Sequence, residues 1–583
     1  MKKLLLYFVS ICFILHVHAQ YYFRGEIKNT KNEALQNVKM LMHSTHLLYY
    51  TGSEGGFGIS STTLIDSITV CSEGYESQTV QLNANNYIKI ILKEVSSNAT
   101  RNSEQKLMSI TKDRDQSSRL TWQEGDESYF SLVENEIVDA KRYPNTGFSL
   151  NVDKASYSNI RRFLTQKSEV PPDAVRIEEL LNYFGLHYSE PDNNDIFKIE
   201  SQVTDCPWDG ANKLLYLNID AHKLNLDKVP PCNLVFLLDA SGSMDMPGKL
   251  PLIKAAFQML VKNLRPIDTV SIVTYGGSVA IVLQPTSGAE KQKIIQAIEE
   301  IDADGDTPGE AAIRTAYQVA EKSFNKNGNN RIILATDGDF NVGETSEQGL
   351  DDLITKERQT NVYLTCLGVG TGNFKDSKLE TLAKKGNGNY AYLDNIEEAE
   401  KVLVKEMTQT FFVVANNVFL NVKFNPDIVK EYRLIGFDNK RDAIADTTGE
   451  LEGGEIGSGN SVMAIFEITP VNTITSAAMQ QDVAQVSLKY NLCNDTLNKQ
   501  VKYDCPNNYV AFKSIDKSYQ FAAALTMFGM KLRQSKFIGN TDWAQIEAIA
   551  TSSFDPNEYL QKEFLQLIAI AKKIYGKKKK YDE

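Results

Sequence analysis

Four apolar runs, at residues 233–238, 269–275, 331–336 and 362–369, constrain the fold of this chain more than any other feature. Amphipathic patterns at 250–264, 291–301, 310–324, 349–358 and 377–384 separate or follow them. A strand that is apolar on both faces has to be covered on both faces. A helix between two such strands makes the crossover that parallel neighbours need. The pattern predicts a doubly wound parallel α/β sheet over residues 232–412.

Open sheets of this kind bind ligands beyond the carboxyl ends of their strands. The first run ends there in Asp239-Ala240-Ser241-Gly242-Ser243. One carboxylate and two hydroxyls in a tight turn are three hard oxygen donors. They suit Mg²⁺ or Mn²⁺, which keep waters and need few protein carboxylates. Thr307, between two helical patterns, and Asp337, at the end of the third run, are expected at the same edge. Plainer readings stay open beside these. Thr307-Pro308-Gly309-Glu310 is also a capping box with proline at the first helical position, so Thr307 could serve only as an N-cap. Asp239 could simply form a turn after a strand. Asp302, Asp304 and Asp306 imitate the start of an EF-hand loop, but Thr307 and Ile313 stand where that loop needs Gly and Glu. Asp337, Asp339 and Asn341 fail the same test, with Val342 and Gln348 at those positions, and Asp339 reads as a solvated turn residue.

At these residues the chain resembles the von Willebrand factor type A domain. Asp239, Ser241 and Ser243 match its D-x-S-x-S, Thr307 its threonine and Asp337 its second aspartate. The resemblance implies a metal-ion-dependent adhesion site, whose Mg²⁺, Mn²⁺ or Ca²⁺ leaves one position open for an Asp or Glu of a partner. Asp306 departs from the small residues usual before that threonine. It could bind a metal-bound water, shift preference toward Ca²⁺ or face solvent. Met246-Pro247-Gly248, Gly276-Gly277 and residues 340–343 are the expected rim. The segments 148–157, 176–184 and Cys206-Pro207-Trp208, with 432–437 and 521–530 downstream, resemble a family of exported bacterial proteins. Its members carry dedicated regions on both sides of the type A domain.

The remaining chain reads as flanking modules. Lys2 and Lys3, an apolar stretch over 4–15 and Val17-His18-Ala19 form a secretory signal peptide over residues 1–19. Bulky Ile11 disfavours lipidation at Cys12. Removing 1–19 takes away two lysines and no acid, which moves the net charge from −12 to −14. No later segment is apolar over the ~18 residues of a membrane span, so the mature chain carries no transmembrane segment. Residues 20–93 alternate short strand patterns with turn signals, as a small β-sandwich does. Gly25, the turn 29–33, Gly55-Gly56-Phe57-Gly58 and Gly74-Tyr75 resemble the carboxypeptidase regulatory-like domain, which implies a non-catalytic β module. Residues 94–128 are polar and aperiodic and read as a flexible linker. A flanking segment follows at 129–231, with helical patterns near 161–163 and 176–184 and strand patterns at 199–203 and 214–219. Residues 413–515 return to alternating strands, and 516–583 are mostly helical. The two flanks, each short of cover, are expected to pack together as a β-sandwich.

Cysteines after the leader show no C-x-x-C spacing. Cys71 and Cys366 fall in apolar runs and read as buried thiols. Cys206 with Cys232, and Cys493 with Cys505, are open pairings, as is the free state. The acidic balance leaves no basic face for nucleic acid. There is no G-x-S-x-G, H-E-x-x-H or P-loop, and no histidine lies in the α/β motifs to activate Ser241 or Ser243. The expectation is an exported, metal-dependent protein-binding protein of the adhesion or scaffold type, not an enzyme. It would sit in the periplasm or at the cell surface and grip an acidic residue of an envelope or extracellular protein. An assembly factor with a purely structural metal, and a metal-dependent hydrolase, are the alternatives.

Overall fold

The computed structural model describes residues 21–93, 106–107 and 121–576, apart from 36–37, 45–47, 53–54, 62, 73–74, 76–77, 125–126, 131, 193–194, 226–228, 306–308, 339–353, 355–359, 372–373, 438–453, 472–480 and 493–497. The signal peptide, the helix expected at 349–358 (save Ile354), Asp306, Thr307 and the rim at 340–343 therefore lie outside the described residues. The chain divides into two units, Met1–Glu104 and Gln105–Glu583.

The first unit holds two sheets. One orders Gly56–Ser61, Tyr21–Asn29 and Tyr87–Leu92, and the other orders Leu48–Tyr50, Lys39–Met42, Ile65–Cys71 and Gln78–Asn83. Alternate residues of both, among them Phe23, Ile27, Met40, Ile68, Val70 and Ile90, form one core. That is the period-two rule of a half-buried strand. Cys71, expected to be buried, is half-exposed because it falls on the outward phase of its strand.

In the second unit the four apolar runs are neighbours in a six-stranded sheet. Its order is Ser278–Ser287, Thr269–Gly276, Cys232–Asp239, Asn329–Thr336, Tyr363–Val369 and Tyr390–Leu393. Leu234, Phe236 and Leu238 pack with Ile253, Phe257, Ile294 and Ile298 on one face. Val235 and Leu237 pack with Ala312, Ile313, Ala316 and Leu379 on the other. A run apolar at every position is thus explained by helices on both sides. The sheet is parallel except for Ser278–Ser287, which runs antiparallel to its neighbour and was not foreseen. As an edge strand with Ile281 and Val282 exposed, it has no buried face long enough to leave an apolar run. Tyr390–Leu393 is too short to read.

The two flanks interleave. One sheet orders Val138–Asp139, Val429–Ile435, Ser461–Pro470, Lys213–Ala221 and Phe197–Asp205. The other orders Asn498–Cys505, Ala484–Leu492, Val413–Phe424, Asn145–Thr146 and Lys106–Leu107. Leu215, Leu217 and Ile219 of the first meet Leu420, Val422, Val486 and Leu488 of the second in one sandwich core. Leu214, Tyr216, Met463 and Ile465 point the other way, against the helices Ala155–Thr165, Ile177–Asn182, Lys517–Leu532, Trp543–Ser553 and Tyr559–Tyr575.

The linker 94–128 ends earlier than its composition suggests: Thr121–Glu124 pairs with Glu127–Phe130, and Glu127 and Tyr129 are buried. Glu127 is ordered by Arg162, whose Nη1 and Nη2 donate to its two oxygens at 2.7 and 2.9 Å, a contact that polar composition conceals. Cys206, Cys232 and Cys505 are free, and burial raises all three thiol pKa values. The free state, left open for Cys206 and Cys232, is the one observed; Cys493 lies outside the described residues.

Candidate metal centre

Three backbone segments cross at the carboxyl edge of the sheet. The Ala240 N–H donates to the Tyr275 carbonyl at 2.7 Å, the Asp304 N–H to the Ala240 carbonyl at 2.7 Å, and the Gly242 N–H to the Gly305 carbonyl at 3.0 Å. The turn after Asp239 is thereby clamped to the segment that leads toward Thr307. Gly276 lies under the crossing. A Cβ there would stand 2.3 Å from the Ala240 oxygen and 2.5 Å from the Asp304 oxygen. Gly276→Ala is expected to destabilise the second unit by about 1–3 kcal/mol, since both obstacles are backbone. Thermal unfolding of the variant with an unchanged melting temperature would refute the crossing.

Asp239 is fully buried at the end of its strand. Its Oδ1 accepts the Ser241 N–H at 3.0 Å and its Oδ2 accepts the Thr336 hydroxyl at 2.6 Å. Burial pushes its carboxyl up to about 6, against the hydrogen bonds from Ser241 and Thr336 and with the help of the Asp337 charge. Ser241 and Ser243 bring their hydroxyl oxygens to 3.3 Å of each other. The Ser243 hydroxyl donates to Asp337 Oδ2 at 2.8 Å. Asp337 is fully buried. Four of the five expected ligands, Asp239, Ser241, Ser243 and Asp337, therefore converge; Thr307 lies outside the described residues.

The sequence reading missed Lys249. It is 3% exposed, and its Nζ donates to Asp337 Oδ2 at 2.9 Å. A signal for it did exist. Lys249 immediately precedes the helix Leu250–Asn263, where the helix dipole disfavours a cation, so a lysine there needs another reason.

The donor set fits a hard divalent cation. Both carboxylates are buried, Asp337 pairs with the Lys249 ammonium, and among the described residues no cation pairs with Asp239. Ser243 is exposed, which leaves the cluster open to solvent on that side. Asp239 and Asp337, with the two serine hydroxyls, would hold the ion, which would supply an electrophilic position for an anionic oxygen. Among the described residues no three His, Cys, Asp or Glu side chains gather as a metal site, so half of this donor set is hydroxyl.

Comparison with known proteins agrees with the fold. The family model described as von Willebrand factor type A domain matches residues 233–405, and one described as von Willebrand factor matches 123–216. The second unit is thus built around a von Willebrand factor type A domain. A model described as the C-terminal region of the uncharacterized protein YfbK matches residues 409–574. The Escherichia coli (strain K12) protein of that name is 36% identical over 471 residues, 77% of this chain and 81% of that protein. The chain belongs to the YfbK family. Inter-alpha-trypsin inhibitor heavy chain H2 of Mus musculus is 29% identical over 209 residues, 34% of this chain and 21% of that protein. The solved von Willebrand factor type A protein from Catenulispora acidiphila is 14% identical with a TM-score of 0.38, over 64% of this chain and 88% of that one.

Proposed function

We propose that the chain is an exported protein-binding protein of the adhesion or scaffold type. A divalent cation, Mg²⁺ with Mn²⁺ or Ca²⁺ as substitutes, is held by Asp239, Ser241, Ser243, Thr307 and Asp337 and takes a carboxylate from a partner. The observation that carries this reading is the convergence of Asp239, Ser241, Ser243 and Asp337 at one sheet edge. The type A domain itself points to a protein-interaction role. Few protein charges on the ion keep it electrophilic toward an acidic side chain. No described histidine lies within the α/β domain to activate a serine, which favours binding over cleavage. The signal-peptide pattern over residues 1–19 supports export to the periplasm or the cell surface. Among the described residues no helix is long and apolar enough to cross a membrane. The first unit serves as a non-catalytic module of the carboxypeptidase regulatory-like type.

The test is capture of envelope proteins by the full mature chain. Binding is expected to vanish in EDTA, return with Mg²⁺, and fall at least about tenfold in Asp337→Ala or Thr307→Ala with circular dichroism unchanged. Full capture in EDTA would make the metal structural and the protein an assembly factor.

A further inference from the structure

The fold makes room for Lys249 at the site. Its aliphatic stem passes over Gly370, where a Cβ would stand 2.4 Å from Lys249 Cε and 3.0 Å from Cγ and Cδ. Gly370 has φ +87°, a conformation that suits glycine. The Tyr392 hydroxyl donates to the Gly370 carbonyl at 2.6 Å and holds that turn. The ammonium ends 2.9 Å from Asp337 Oδ2, the oxygen that already accepts the Ser243 hydroxyl. Lysine and aspartate side chains are 4% and 0% exposed. Burying an ammonium is costly unless it is closely paired, and the start of a helix adds to that cost. The arrangement persists because Asp337 answers the charge.

We propose that Lys249 is a resident counter-ion that competes with the divalent cation for Asp337 and thereby sets the metal affinity of the site. The inference rests on the metal reading above. With Lys249 in place the two carboxylates carry one net negative charge, and Asp337 stays seated when no metal is bound. Without it they carry two, and a divalent cation no longer meets the charge of Lys249. The lysine thus weakens metal binding while it stabilises the metal-free protein.

The experiment compares the full mature chain with Lys249→Met and Lys249→Gln. Mg²⁺ and Mn²⁺ binding is read by calorimetry, and the metal-free melting temperature is read separately. Lys249→Met removes the charge at similar length; Lys249→Gln keeps a donor for Asp337 and serves where the methionine variant does not fold. The expected result is roughly tenfold or tighter metal binding in the variants, as one unit charge leaves the ion's surroundings, together with a lower metal-free melting temperature. Binding by the variants alone would equally support the proposal, with the lysine then holding the cation's place outright. Wild-type binding with unchanged or weaker affinity in the variants would overturn it and leave the metal reading standing. Binding by neither protein would overturn both.

Discussion

Arg176→Met is expected to destabilise the second unit by about 3–5 kcal/mol, the range for removing one partner of a buried ion pair. The Arg176 side chain is 5% exposed. Its Nε pairs with Glu179, and its Nη1 donates to Asp376 Oδ2 at 2.8 Å. Glu380 lies 3.9 Å from Nη1. Methionine fills most of the volume but leaves Glu179 and Asp376 as buried acids without this cation. Asp376 opens the helix Asp376–Lys385 of the α/β domain, whereas Arg176 and Glu179 belong to the flank. The lost pair therefore also loosens one domain from the other. Denaturant unfolding of the whole chain measures it. A loss under ~1 kcal/mol would mean that the pair contributes little. Adding Asp376→Asn to Arg176→Met should recover part of the loss, because it removes one of the stranded charges.

Asp239→Asn should separate function from stability. It is expected to weaken Mg²⁺ binding by about 100-fold or more, because a charged ligand becomes neutral in a site with few charges. The metal-free protein should melt at the same temperature or higher. Asp239 is buried without a cation among the described residues, and asparagine still offers one acceptor to the Ser241 N–H or the Thr336 hydroxyl. A site kept at a cost to the metal-free fold shows this opposite pairing of effects. Calorimetry and thermal unfolding give the two numbers. Wild-type Mg²⁺ affinity in Asp239→Asn would remove Asp239 from the site. A large fall in melting temperature would make it a structural acid.

Much of this protein was legible because its signals are local. A strand buried on both faces needs apolar residues at every position, so Cys232–Asp239 and Asn329–Thr336 announced themselves. Parallel strands all end at one edge, so the residue after each run could be placed there before any contact was known. That rule brings Asp239 and Asp337 to the edge with Ser241 and Ser243 in the turn beside them, and their role as ligands is what the resemblance to the type A domain implies. The edge strand Ser278–Ser287 did not, since exposure on both sides erases the pattern.

Tertiary structure decided what brings distant segments together. Lys213–Ala221 lies between Ser461–Pro470 and Phe197–Asp205, and Asn212 donates to Glu467, 255 residues away, at 2.8 Å. Alternation fixes which face of each strand is buried but not which strand lies beside it. Arg161, Arg162 and Arg176 fall within short segments whose pattern shows only that they are helical. The three arginines are buried against Asp394, Glu398 and Glu563, against Glu127, and against Glu179 and Asp376. Lys249 belongs with them. Apolar burial is written in the spacing of one segment, whereas a buried charge depends on a partner that the chain supplies from elsewhere, and only the folded packing brings the two together.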